Sequence, residues 1–161
     1  MSEDPVIEGF RKEYDRFHDI LVQQIDVCPS EEAWVEKTGR FPYWWHILHA
    51  LALIEVYALP VGAPSRQTCC PREVVFAKAD AETNPGREEI RAFAAVMKEL
   101  AHEFFASQSV QTLTAPNENM TKTLGRECTN LNALIGMIRH HNYHIGCVDS
   151  LLRARGIPGL L

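Results

Sequence analysis

Residues 131–155, LNALIGMIRHHNYHIGCVDSLLRAR, decide the fold class of this chain. Apolar side chains recur here at spacings of three, four and seven residues, as one face of an α-helix requires. They are Leu131, Leu134, Ile135, Ile138, Ile145, Val148, Leu151 and Leu152. Gly156 and Pro158 follow, and this pair is typical of a helix end. The stretch therefore predicts a long last helix with one buried face.

Three earlier stretches also have helical character. Residues 5–27 carry apolar side chains at helical spacing on one face and charged residues on the other. Residues 43–59 are apolar on almost every side until Pro60, which predicts a central buried helix. Asn84 and Pro85 are typical of a helix start, and the apolar stripe after them is expected to end near Gln108.

Turn-rich segments join these helices. Residues 28–42 and 112–128 are rich in turn-forming residues, and the proline-containing loop 59–74 leads into a short helical piece at 71–78. No stretch alternates apolar and polar residues over more than a few positions, as a half-buried strand would. We therefore expect an all-α fold in a single domain, residues 1–161. The economical architecture is a four-helix bundle with one longer crossover loop between helices 2 and 3.

The composition argues against several classes of function. Sixteen Lys and Arg against twenty-one Asp and Glu give a net charge of −5 without a basic cluster, so we expect no nucleic-acid partner. The N-terminal residues do not form a signal peptide, and no apolar run approaches ~18 residues, so we expect a cytoplasmic protein without membrane contact. The five cysteines form no CxxC pair, which argues for reduced thiols rather than disulfides or a zinc knuckle.

The histidines indicate the chemistry. His140 and His144 are four residues apart, so on a helix they share one face with Cβ atoms about 6 Å apart. His46 lies on an apolar face of the second helix, where its ring must find a partner inside the bundle. Neutral imidazole binds Zn, Ni, Cu and Fe(II), and three histidines leave coordination positions open. We predict one divalent metal ion bound by His46, His140 and His144.

Other residues keep two interpretations. A histidine pair at this spacing is also common in ordinary helical cores, and His141 is either a core histidine or a competitor of His140. His49 is either a buried, hydrogen-bonded ring or a group that supports the metal or faces substrate. Cys69 and Cys70 either act through a thiolate or pack in their loop. The remaining histidines, His18 and His102, stand among charged and polar neighbours and are expected to be exposed.

The pattern resembles a known family. The sequence H-x-x-x-H-x-G at 140–146 is similar to the H-E-x-x-H-x-G-Q of the last helix in the DinB-like (DinB/YfiT) superfamily. The W-H-I segment at 45–47 resembles the segment from which that family takes its first metal ligand. The chain departs from the pattern at His141, where glutamate is frequent, and at Cys147, where glutamine is frequent. The resemblance implies the same three ligands, with zinc or nickel favoured and iron or manganese as further candidates.

The functional expectation follows from the metal site and the resemblance together. We expect a metal-dependent enzyme whose ion lowers the pKa of a water or a substrate thiol. The resemblance implies a hydrolase or a thiol-dependent transferase acting on a small molecule, and a homodimer. Two alternatives stay open: a non-catalytic metal or small-ligand binder, and a dimeric interaction module. No residue is assigned as a general base, because Glu55 lies about 180° around the second helix from His46.

Overall fold

The computed structural model describes residues 4–38 and 40–161, and most of these are helical, as predicted. The first helix, α1, spans Pro5–Val27, the predicted bounds. Its N-terminus is capped by Asp4, whose Oδ1 accepts a hydrogen bond from the Val6 N–H at 3.0 Å. Proline suits the first helical position because the helix does not need its N–H there. The apolar face of α1 is buried, with Tyr14 among its largest side chains.

The segment after α1 is more structured than its turn-rich composition predicts. It contains a short helix, α2 (Glu31–Val35), and a hairpin of two-residue strands, β1 (Lys37–Thr38) and β2 (Phe41–Pro42). The strands are antiparallel, and Lys37 pairs with Pro42. Elements this short leave almost no periodic signal in a sequence. Trp34 anchors α2, because its indole is buried and donates to the Pro85 carbonyl at 2.9 Å.

The apolar segment that was expected to form one helix forms two, α3 (Tyr43–Ala52) and α4 (Ile54–Ala58). At Leu53 the hydrogen bonding tightens, because the Val56 N–H donates to the Leu53 carbonyl at 3.0 Å. No glycine or proline marks this break, so the sequence did not show it. The predicted burial is confirmed on nearly every side of α3 and α4.

The crossover loop is held down by Glu55, a buried residue of α4. Its Oε2 accepts a hydrogen bond from the Ser65 hydroxyl at 2.8 Å. Its Oε1 accepts from the N–H groups of Arg66 and Gln67, at 2.5 and 3.0 Å. The sequence assigned Glu55 no catalytic role, and the structure shows it bonded to a loop of the same chain. Backbone N–H groups need an acceptor when they are covered, and Glu55 supplies it.

The second half of the chain carries α5 (Arg72–Val75), α6 (Arg87–Ala106), α7 (Glu118–Leu124) and α8 (Asn130–Arg153), with a 3-10 turn at Val110–Thr112. Helix α6 begins after Gly86, two residues later than the predicted start at Pro85. Helix α7 was not predicted. It is capped by Asn117, whose Oδ1 accepts from the Met120 N–H at 2.9 Å, and it ends at left-handed Gly125.

The core lies where the long helices meet. Helix α8 packs against α1, α3 and α4, and α6 packs against the same three helices. Gly136 allows the close approach of α8, since a Cβ there would lie 2.7 Å from Cε1 of Tyr57 on α4. Helix α8 ends at Arg153, and Gly156, which was expected near the helix end, follows in a left-handed conformation with φ 74°. Within residues 4–38 and 40–161, no helix is both long enough and apolar enough to cross a membrane.

Candidate metal centre

Two helices supply the side chains of the candidate centre. Helix α3 carries His46 and His49, three residues apart, and α8 carries His140, His144 and Cys147, at spacings of four and three. Residues at these spacings project from the same side of a helix. Because α3 and α8 pack against each other, the five side chains converge between them.

His144 occupies the middle of the cluster and is almost fully buried. Its Nδ1 lies 3.2 Å from Nδ1 of His46. Its ring centroid lies 4.7 Å from that of His140 and 5.0 Å from that of His49. The rings of His49 and His140 are 5.1 Å apart. The centre is therefore a patch of four imidazoles in which His144 contacts each of the other three, with one thiol beside them.

Two sets of three donor atoms are compact enough to share an ion. One consists of His49, His140 and His144, and the other of His46, His144 and Cys147; within each set the donor atoms lie within 4.8 Å of one another. The three ligands predicted from the sequence are thus divided between the two sets, with His144 common to both. The set containing His49 adds a residue for which the sequence left two interpretations open. The assignment of His46, His140 and His144 as joint ligands stays a prediction.

His49 has the surroundings of a metal ligand. Its Nδ1 lies 2.7 Å from the carbonyl oxygen of Val75, and since that oxygen can only accept, Nδ1 carries the proton. The lone pair is then on Nε2, at the other end of the ring. Histidines that bind metals usually donate their second nitrogen to a carbonyl or carboxylate in this way. The His49 ring is also fixed by stacking on Trp45, with centroids 4.4 Å apart.

Burial keeps these histidines neutral at physiological pH. Desolvation lowers the pKa of His46 and of His140 to about 4. The pKa of His144 falls to about 2, because desolvation acts together with repulsion from His140, His49 and His46. Burial also lowers the pKa of His49, partly offset by its bond to Val75. A neutral imidazole keeps a lone pair, which is the form that binds a metal ion.

The surroundings of His140 show whether the donor atoms of the centre suit a metal ion. Its Nε2 is buried and has no hydrogen-bond partner among the described residues. Buried polar atoms are nearly always paired, and an unpaired nitrogen costs about 1–3 kcal/mol. Coordination to a metal would satisfy this atom. The donors at the centre therefore fit a borderline or soft divalent ion.

Two further histidines form a separate buried group against α1. His18 was expected to be exposed, but it is buried, and its Nδ1 lies 3.2 Å from the Tyr14 hydroxyl. The prediction was wrong because it judged the neighbours in sequence, whereas α6 and α8 cover this face of α1. His141 is fully buried, as a core histidine would be, and its ring stacks on His18 at 5.8 Å. Neither of its ring nitrogens has a hydrogen-bond partner among the described residues. His102 is partly exposed and lies 2.6 Å from Asp15.

Cys69 and Cys70, the two cysteines of the crossover loop, lie apart from the two donor sets. Cys69 and Cys70 are partly buried in the crossover loop, where burial raises the pKa of both thiols, to about 12 for Cys69. Both thiols are therefore protonated at neutral pH, which argues against a thiolate role. Tyr57 approaches only the edge of the His140 ring, at 6.4 Å between centroids. Tyr143 is exposed, but its ring meets that of His144 at 5.0 Å between centroids. In the described part of the chain, neither donor set contains a carboxylate.

A cavity of 350 Å³ lies beside the backbone that supports His49. Val75 and Phe76 line it, and the same two residues contact His49 through a hydrogen bond and a ring edge. The crossover loop forms the other side, through Gln67 and Cys70 among others. Its volume lies in the range of small-molecule sites, about 300–1,000 Å³.

Comparison with known proteins returned no match: no protein-family model fits the chain, and no curated protein or solved structure shows significant similarity to it. The resemblance to the DinB-like superfamily therefore stays a prediction, and the function has to be argued from the site itself.

Proposed function

We propose that this protein binds one divalent metal ion between α3 and α8 of a DinB-like four-helix bundle with a crossover loop. The observation that supports this most directly is the buried, unpaired Nε2 of His140 inside a group of four neutral histidines. Zinc and nickel suit such nitrogen donors best, and iron and manganese are further candidates.

The ligands are the α8 pair, His140 and His144, with a third imidazole from α3. The sequence and the family resemblance favour His46 as that third ligand. The arrangement of the side chains favours His49, because its Nε2 lone pair is fixed by the bond from Nδ1 to Val75. Whichever of the two does not bind the ion stays beside it as a neutral imidazole.

The proposed activity is that of a metal-dependent enzyme, either a hydrolase or a thiol-dependent transferase. A bound divalent ion lowers the pKa of a coordinated water or thiol and makes a nucleophile available near neutral pH. The proposed place for a small-molecule substrate is the 350 Å³ cavity lined by Val75 and Phe76, which both contact His49. A low-molecular-weight thiol is one candidate substrate. A homodimer is proposed from the family resemblance alone.

The second candidate function is non-catalytic binding of a metal or small ligand. The absence of Asp and Glu from both donor sets of the described chain favours it, since no carboxylate is placed to act as a general base. Glu55, the buried acid of α4, is occupied by the crossover loop. Turnover of thiol or ester substrates by the metal-loaded protein would distinguish the first candidate from the second.

Metal content tests the shared premise of both candidates. We expect the purified, untagged wild-type protein to hold close to one equivalent of metal and the His140→Ala variant to lose most of it. His102→Ala is the matched control, because His102 lies on α6 near Asp15, outside the cluster. The proposal fails if the wild-type protein takes up no zinc, nickel or Fe(II) on loading, or if His140→Ala binds them equally well.

A further inference from the structure

Cys147 lies one helical turn after His144, on the same side of α8. Its Sγ is within 4.8 Å of donor atoms of both His46 and His144. The thiol and His46 are both partly exposed, whereas His144 beneath them is buried. The set that contains Cys147 thus has one buried and two partly exposed donors, as does the set that contains His49.

The distance between the Nδ1 atoms of His46 and His144 matches the distance between two nitrogen ligands of one tetrahedral metal ion. Zn–N bonds of about 2.0–2.1 Å at tetrahedral angles place two nitrogens about 3.3 Å apart. The two Nδ1 atoms of His46 and His144 are 3.2 Å apart. A thiolate with a Zn–S bond of about 2.3 Å would lie about 3.6 Å from each nitrogen. The Sγ of Cys147 is within 4.8 Å of both donors, which is at most about 1.2 Å beyond that distance.

We propose that Cys147 is a metal ligand, acting with His46 and His144 in a mixed imidazole–thiolate set that takes zinc or another borderline or soft ion. This inference rests on the proposed metal-binding function: it takes His46 as the ligand from α3 and adds Cys147 to His140 and His144 as a ligand from α8 to the same ion. The thiol proton is released to solvent when the sulfur–metal bond forms, so binding at this set liberates one proton per ion. Sulfur ligation favours zinc and copper(I) over manganese and magnesium.

Cobalt(II) is the probe, because it replaces zinc and reports a sulfur ligand through a near-ultraviolet sulfur-to-cobalt charge-transfer band. We expect the band in the full-length wild-type protein and its loss in Cys147→Ser, with cobalt still bound through the histidines. Cys70→Ser is the matched control, because Cys70 is also partly buried but lies in the crossover loop. It should keep the band at wild-type intensity.

The outcomes separate the two proposals. Cobalt bound by the wild-type protein without the band overturns the role of Cys147 and leaves the histidine centre intact. A band that persists in Cys147→Ser also overturns it, because the sulfur then comes from another cysteine. No cobalt uptake at all overturns both proposals. Proton release, measured in weak buffer, should fall by one proton per ion in Cys147→Ser relative to wild type.

A second measurement covers the case in which Cys147→Ser does not fold, as judged by circular dichroism. Zinc-edge X-ray absorption of the wild-type and Cys70→Ser proteins counts sulfur neighbours without changing Cys147. One sulfur at about 2.3 Å in both proteins supports the proposal, and a shell of nitrogen and oxygen alone at about 2.0–2.1 Å overturns it.

Discussion

At the scale of single residues, the role of a histidine depends on what its second nitrogen contacts. His46 and His49 lie on the same helix three residues apart, and the sequence favoured His46 as the ligand. Only the tertiary structure brings the Val75 carbonyl, which is 26 positions away in the chain, to Nδ1 of His49. That one contact fixes which nitrogen of His49 is free to bind a metal.

The first prediction at this scale concerns zinc affinity. If His49 is the ligand from α3, we expect His49→Ala to weaken zinc binding by more than about 100-fold. If His46 is that ligand, as the Cys147 proposal requires, we expect a loss of no more than about 100-fold, which is typical of an outer partner. Competition with a chelator of known affinity measures the change. His18→Ala serves as the control, since His18 is buried beside Tyr14 on α1. Equal zinc affinity for His49→Ala and the wild-type protein would leave His46 as the ligand from α3.

At the scale of helices and strands, periodicity predicts the long elements and misses the short ones. The four stretches with apolar side chains at helical spacing are helical in the structure, and α1 has the predicted bounds. Helices α2 and α7 and the β1–β2 hairpin were missed. The two helices have five and seven residues and each strand has two, so these elements contain too few apolar positions to reveal a helical or strand spacing. Their packing partners stabilise them, through contacts such as that of Trp34 with Pro85.

The second prediction concerns the stability that depends on the close packing of α8 against α4. In Gly136→Ala the new methyl group would lie 2.7 Å from Cε1 of Tyr57, so α8 and α4 must separate. We expect the free energy of unfolding to fall by about 1–3 kcal/mol, the usual cost of overpacking a core. Gly146→Ala is the matched control on the same helix, because its Cβ would meet nothing within 4 Å.

We expect the control variant, Gly146→Ala, to raise the free energy of unfolding rather than lower it. Replacing a helical glycine by alanine where there is space stabilises a helix by about 0.5–1 kcal/mol. Urea denaturation of the two variants beside wild type measures both effects. Equal stability changes in Gly136→Ala and Gly146→Ala would mean that the contact of Gly136 with Tyr57 does not limit the approach of α8.

At the scale of the whole molecule, six of the seven histidines have pKa values lowered by burial, namely His18, His46, His49, His140, His141 and His144. A histidine whose pKa is lower in the folded state takes up its proton more readily in the unfolded chain. Its contribution to stability is therefore complete above pH 6.5, the usual histidine pKa, and is lost as the pH falls towards the folded value.

The third prediction is acid sensitivity in a defined pH window. For the metal-free protein we expect the free energy of unfolding to fall between about pH 6.5 and 4, by about 1.4 kcal/mol per pH unit for each proton taken up on unfolding. Surface carboxylates contribute mainly below this window, and 1 M salt screens them. Urea midpoints measured from pH 4.5 to 8, with and without salt, test this. A flat profile between pH 5 and 6.5 would contradict it.

Three features follow from the order of residues alone: the helical class, the positions of the long helices and the histidine pair on one face of the last helix. These features depend on spacing along the chain, and a sequence contains spacing. It could not determine the break at Leu53, the loop contact of Glu55, the burial of His18 or the placement of His49 and Cys147 in the cluster. Only the tertiary structure decided these, because each depends on which distant backbone or helix covers a side chain, and the packing of the whole chain sets those contacts.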